Sequence, residues 1–215
     1  MNNRKQNPAL VIVLFVIVCL PVFFSCSDNP AGPVNTVPKT YDIAFLSQRD
    51  GLYNTEIYVM DSTGDNQTNL TNSPEHETDF SWSPDGSLIA FTRYGVICLM
   101  NADGSGQVSL ADDHSPQWSP DGTKILFTAW REGSVWSEIY IMDADGTNRT
   151  MLTNNDAQDS NPQWAPNGSK IFFESYRNGR VNSEIYVMDI DGSNQVRLTN
   201  NDVYDNQPSC SPSHR

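Results

Sequence analysis

The chain has 215 residues, with 26 Asp or Glu against 13 Lys or Arg, a formal net charge of −13 and a pI near 4.4. That excess of negative charge repels phosphate, so no nucleic-acid partner is expected. With 38% hydrophobic and only 18% charged residues, and 5 Trp, 8 Tyr and 9 Phe, the chain is too aromatic and too weakly charged to be disordered.

At the start, Arg4 and Lys5 precede an apolar run over residues 9–20, which ends at Pro21. This is the layout of a secretory signal, and the run is short of the roughly 20 residues a helix needs to cross a bilayer. Residues 1–25 are therefore expected to be a signal peptide. Phe23, Phe24, Ser25 and Cys26 resemble the lipobox of bacterial lipoproteins, with Phe23 where leucine is usual, and the resemblance implies an acylated Cys26 as the mature N-terminus. The other reading is an ordinary cleaved signal with Cys26 a bystander. Residues 26–40 are polar and carry Pro30, Pro33 and Pro38, the composition of a semi-rigid tether. Under the lipoprotein reading the protein is a membrane-anchored component of the bacterial envelope, facing the periplasm or the cell surface.

After residue 40 the sequence repeats itself. Ser-Trp-Ser-Pro-Asp-Gly at 81–86 returns as Gln-Trp-Ser-Pro-Asp-Gly at 117–122 and Gln-Trp-Ala-Pro-Asn-Gly at 163–168, with Ser-Cys-Ser-Pro at 209–212. Ile-Ala-Phe at 43–45 and 89–91 matches Ile-Leu-Phe at 125–127 and Ile-Phe-Phe at 171–173. Glu-Ile-Tyr-Val-Met at 56–60 matches segments ending at Met100, Met142 and Met188, and a last element ends near Leu70, Leu110, Leu152 and Leu198. Each unit predicts four short antiparallel strands, named first to fourth below, with Trp82, Trp118 and Trp164 buried at one position of the first.

The intervals between these landmarks sort the connections. From Trp to Phe is 9 residues in every complete copy and from Met to Leu is 10 in all four, whereas Phe to Met is 15, 9, 15 and 15. Tight Gly- and Asp-rich turns therefore occupy one face, and longer, variable loops occupy the other, where ligands are usually met.

The Trp-Ser-Pro-Asp-Gly, Ile-Ala-Phe, Glu-Ile-Tyr-Val-Met-Asp and Leu-Thr elements resemble the WD-like β-propeller repeat of the TolB family, over residues 41–215. The resemblance implies an all-β fold, a propeller of four-stranded antiparallel blades. It also implies the roles such propellers take: periplasmic scaffolds, sensor modules and non-catalytic domains of peptidases. Two departures stand out, the lack of the α/β domain that precedes the propeller in TolB itself, and four repeats where six blades are typical. The chain enters at a second strand and ends after a first strand, 208–212, so two architectures are open. That last strand can latch onto the first blade and close a small ring, or the repeats can form an incomplete propeller.

Candidate site residues follow from the repeat. Five residues before each Trp position stands an acid, Glu77, Asp113, Asp159 and Asp205. These predict a collar on the loop face, able to hold a cation or a basic partner, or else four acids each satisfied within its own blade. Arg49, Arg131 and Arg177 each precede a Glu by seven residues, which suggests ion pairs to Glu56, Glu138 and Glu184 across a hairpin. Trp130, Trp136 and Tyr176, with Tyr53 and Tyr94, place aromatics in the same loops, suited to a glycan or peptide. The Asp-x-Asp-Gly segments at 143–146 and 189–192 lack the remaining ligands of a calcium loop and read as hairpin turns.

Neither a C-x-x-C pair nor a metal-spaced histidine pair occurs, so no metal or cofactor is expected. No Gly-x-Ser-x-Gly is present, and His114 beside Asp112 and Asp113 is the strongest catalytic candidate. Two functions result. The first is a non-enzymatic, envelope-anchored scaffold binding a protein or glycan through the loop face. The second is a metal-dependent carbohydrate-active or peptidase-related enzyme using the collar and His114.

Overall fold

In the computed structural model, residues 43–179 and 182–211 are described. The signal peptide, the tether, Cys26 and the last four residues lie outside them. All regular structure among the described residues is β-strand, in four antiparallel sheets. The first blade holds β1 (Ile43–Ser47), β2 (Glu56–Met60) and β3 (Thr68–Asn69). The second holds β4 (Glu77–Trp82), β5 (Leu88–Arg93), β6 (Val96–Asn101) and β7 (Val108–Ala111). The third holds β8 (His114–Trp118), β9 (Lys124–Trp130), β10 (Ser137–Asp143) and β11 (Thr150–Met151). The fourth holds β12 (Asp159–Trp164), β13 (Lys170–Ser175), β14 (Glu184–Asp189) and β15 (Val196–Arg197). In the last three blades the strands pair in sequence order, as the repeat predicts.

The turn chemistry shows why. In the Ser-Pro-Asp-Gly-Ser hairpin the Asp85 carboxylate accepts from the Ser83 hydroxyl at 2.6 Å and the Ser87 N–H at 3.0 Å, while Ser83 Oγ accepts the Leu88 N–H at 2.9 Å. These bonds favour the ionised carboxylate, so Asp85 is held down at about 2, the Ser83 hydroxyl contributing most. The Asp-x-Asp-Gly segment is a turn as expected: Asp145 accepts from the Thr147 N–H at 3.0 Å, and Asp143 from Lys124 at 2.7 Å.

Each Glu-Ile-Tyr glutamate clamps the loop after the fourth strand. Glu138 accepts from the Thr153 hydroxyl at 2.7 Å and the Asn155 N–H at 2.8 Å, and Glu184 from Thr199 at 2.5 Å and the Asn201 N–H at 3.1 Å. Glu56 holds Thr71 and the Ser73 N–H in the same way. That is the reason for the Leu-Thr signature. Where the second unit has Val96 for Glu it also has Ala111 for Thr, and both halves of the clamp are absent together.

The core lies between blades. Ile57 and Val59 pack with Ile89 and Phe91; Ala90, Ile97 and Leu99 with Trp118, Ile125 and Phe127; Leu126, Ile139 and Leu152 with Ile171 and Phe173. Because β5 and β9 are covered on both faces, they read as continuous apolar runs instead of alternating ones. Trp118 is buried as expected. Trp82 and Trp164 are only half-buried, a correction to the uniform burial predicted; the Trp164 indole N–H reaches the Gln117 carbonyl of the preceding blade at 3.3 Å.

The first blade has three strands, and residues 201–211 form none. The latch is therefore not made among the described residues, and their arrangement is that of an incomplete propeller. The consequence is visible in β1, where Ile43 and Leu46 are exposed while the residues equivalent to them, Ile89 and Ile125 for the first and Thr92 and Thr128 for the second, are buried.

Candidate binding cleft on the loop face

Three of the four collar acids are buried, Glu77 and Asp159 completely. Each is taken by an arginine of its own sheet. Arg93 Nε meets Glu77 at 2.6 Å, Arg177 meets Asp159 at 2.6 Å, and Arg149 meets Asp113 at 3.1 Å. Burial is the largest influence on two of them, outweighing the arginine: Glu77 is pushed up to about 7 and Asp113 to about 6. The second oxygen of Glu77, Oε2, is buried with no hydrogen-bond partner among the described residues. Asp205 is half-buried and accepts from Asn201 at 2.6 Å.

The arginines do not take the partners read from their seven-residue spacing. Arg177 goes to Asp159 and stacks over Tyr186 at 4.7 Å, leaving Glu184 to Arg197. Arg131 pairs with Asp156 at 3.5 Å, and Arg49 bonds Ser47 and Gln67. Spacing fixed which loop each arginine occupies but not which acid the first strand would bring within its reach.

The polar residues that do reach open space sit two positions further along the first strand. Asp79, Ser115, Asn161 and Gln207 all have positive φ, 29°, 58°, 50° and 50°, and the ladder slips at that point in β4, β8 and β12. A bulge of this kind re-aims a side chain, and short polar residues tolerate the left-handed conformation best. Asp79, Ser115 and Asn161 converge around a cavity of about 120 Å³, where the Ser115 hydroxyl donates to Asp79 at 3.3 Å.

Next to it, between the third and fourth blades, opens a larger cleft of about 340 Å³. Its walls include His114, Ser115 and Thr128 from one blade and Ser160, Asn161, Glu174 and Tyr176 from the other. Tyr176 is shared with a neighbouring cavity of about 200 Å³ that Trp136 also lines. Two buried polar atoms in this wall, His114 Nδ1 and Thr128 Oγ1, have no hydrogen-bond partner among the described residues. Burial lowers the His114 pKa, against an opposing pull from Asp79, so the ring is neutral at neutral pH. Trp130, exposed at the rim, stacks on His114 with centroids 4.5 Å apart.

Of the residues expected from sequence, Tyr176, Trp130 and His114 come together here, while Arg131 and Arg177 serve ion pairs. Glu77, Asp113 and Asp159 are committed to arginines, and among the described residues no group of three or more His, Cys, Asp or Glu is placed to hold a metal ion. The cleft residues missed include Ser115, Thr128, Ser160, Asn161 and Glu174. Asn161 had a signal, the polar residue three before each Trp position, but its identity changes in every unit.

A model of the TolB beta propeller domain matches residues 105–215. A TolB homolog of Chlorobaculum tepidum is 36% identical over 119 residues, which are 52% of this chain and 26% of that protein, so the match spans about a quarter of the relative's length. A TolB-designated structure from Agrobacterium tumefaciens superposes with a TM-score of 0.62 at 25% identity, covering 73% of this chain and 60% of the other. TolB of Acinetobacter baumannii superposes with a TM-score of 0.63 at 23% identity, over 76% of this chain and 42% of the other, and shares the fold.

Proposed function

The chain belongs to the TolB beta propeller domain family, and on that footing we propose that it is a non-enzymatic, envelope-anchored scaffold that takes a protein segment or glycan in its loop-face cleft. The observation that carries the reading is the pair of unpartnered polar atoms, His114 Nδ1 and Thr128 Oγ1, buried in the wall of the cleft. A buried polar atom without a partner costs about 1–3 kcal/mol, and a ligand that draws either side chain toward the cleft and bonds it recovers that cost. Hydroxyl, amide and imidazole groups beside the Tyr176 and Trp130 rings match both sugar hydroxyls and an extended peptide backbone.

An enzymatic role finds little support in the geometry. Asp113, which would orient His114, is held by Arg149, and three of the four collar acids, Glu77, Asp113 and Asp159, are paired with arginines. The envelope location is supported by the apolar leader and its terminal Cys26, and by the family's TolB members.

Calorimetric titration with cell-wall glycan fragments and with envelope-derived peptides tests the proposal. The expected result is saturable binding of one class, weakened at least about tenfold, or 1.4 kcal/mol, by Tyr176→Ala. Equal binding by wild type and Tyr176→Ala would remove the cleft from the function.

A further inference from the structure

The two ends of the arc carry the halves of one joint. Where the first blade meets the second, and the third meets the fourth, the joint is built alike. The glycine of a third-to-fourth turn lies against the last leucine of the blade before: a Cβ on Gly104 would fall 2.7 Å from the Leu70 carbonyl oxygen, and one on Gly192 would fall 2.6 Å from that of Leu152. A glutamine three residues on donates to the same carbonyl, Gln107 to Leu70 at 3.4 Å and Gln195 to Leu152 at 3.1 Å. Both leucines are buried.

The first blade has this device with nothing against it. Gly64 adopts φ of 86°, close to the 84° of Gly104, and Gln67 donates to the Gly64 carbonyl as Gln107 does to that of Gly104. Yet beyond its chain neighbours no atom of the described residues lies within 4 Å of a Cβ built on Gly64. At the other end, Leu198 is held by the Ile185 carbonyl just as Leu70 is by that of Ile57, but it is 51% exposed where Leu70 is 5%.

A second pair of halves agrees. Arg49 stacks over Tyr58 at 4.4 Å as Arg149 and Arg177 stack over Tyr140 and Tyr186. Those two arginines meet the acid at the first-strand position of their blade, and among the described residues the first blade has no first strand. The acid at that repeat position is Asp205, whose N–H is held by the Ser183 carbonyl as that of Glu77 is by Thr55. The tail thus leaves the fourth blade along the path taken by an internal first strand, and among the described residues no strand pairs with the outer edge of β1.

We propose that these halves meet between copies: the fourth blade and the 205–211 tail of one molecule dock on the first blade of a second, with the tail as its missing first strand. Gln67 then faces the second copy's Leu198 carbonyl, and Arg49 its Asp205. Such head-to-tail contacts close into a ring where the rotation permits. Two copies supply eight blades, at the upper end of the range for propellers.

Sedimentation of the full chain in mild detergent across a concentration range tests this. The expected result is association to two or more copies at high concentration and dissociation on dilution. Leu198→Glu and Gln67→Glu, both at exposed positions, should each abolish it with little change in thermal midpoint. Mixing the two variants should restore a one-to-one pair, since each retains the half the other lacks. A wild-type chain monomeric throughout overturns the proposal, as does a monomer with β1 amides protected from exchange, which would place the tail on its own first blade. Association unaffected by either variant overturns it as well.

Discussion

A buried carboxylate can stay ionised only if its partners replace the water it has lost, and Glu77 is half provided for. Arg93 satisfies one oxygen at 2.6 Å, and the other is buried alone. The native carboxyl therefore keeps its proton up to about 7, against 4.5 for the ordinary group, so between those values the folded chain binds more protons than the unfolded one. Stability from this group is full below 4.5 and falls as pH rises toward 7, by roughly 3 kcal/mol. Asp113, raised to about 6, tilts the curve the same way. Denaturant unfolding from pH 4.5 to 8 should show this decline, and Glu77→Gln should flatten it; a wild-type curve rising through that range would mean that Arg93 keeps Glu77 ionised. The repetition of these acids was plain in the sequence because the repeat fixes their place on the first strand. Their burial was not, because it depends on arginines that arrive from three different positions: the end of β5, the residue before β11 and the loop after β13.

At the scale of elements, strand order and turn chemistry were legible because they are local. Pro-Asp-Gly and Asp-x-x-Gly each close a hairpin with atoms a few residues apart. Contacts between blades are not local, and there the reading of three equivalent tryptophans failed. Trp118 lies at 7% exposure between two complete blades. Trp82 stands beside a first blade that lacks its innermost strand, and Trp164 leans on the Gln117 carbonyl. Trp118→Ala should cost about 3–5 kcal/mol, and Trp82→Ala and Trp164→Ala roughly half as much, in proportion to the area each buries. Equal losses at all three, measured by thermal melts, would show that the half-buried rings carry as much packing as the buried one. The bulge that aims Asp79, Ser115 and Asn161 into their shared cavity escaped notice for a related reason. Left-handed backbone is a demand on conformation, and Asp, Ser, Asn and Gln meet it with different side chains.

At the scale of the molecule, the described blades present a polar cleft on one face and tight turns on the other, and the leader bears on where that face is presented. If Cys26 carries a lipid, Cys26→Ala moves the protein from the membrane to the soluble fraction; retention after an alkaline wash would make the apolar leader the anchor instead. The claim on which the function turns is that ligand is met at the loop face, between the third and fourth blades. Photo-crosslinking in cells tests it most directly, with a photoreactive residue in place of Tyr176 in the cleft or of Ser87 on the turn face. The account predicts a discrete adduct from position 176 and none from position 87. Adducts from position 87 alone, or the same adducts from both, would contradict it.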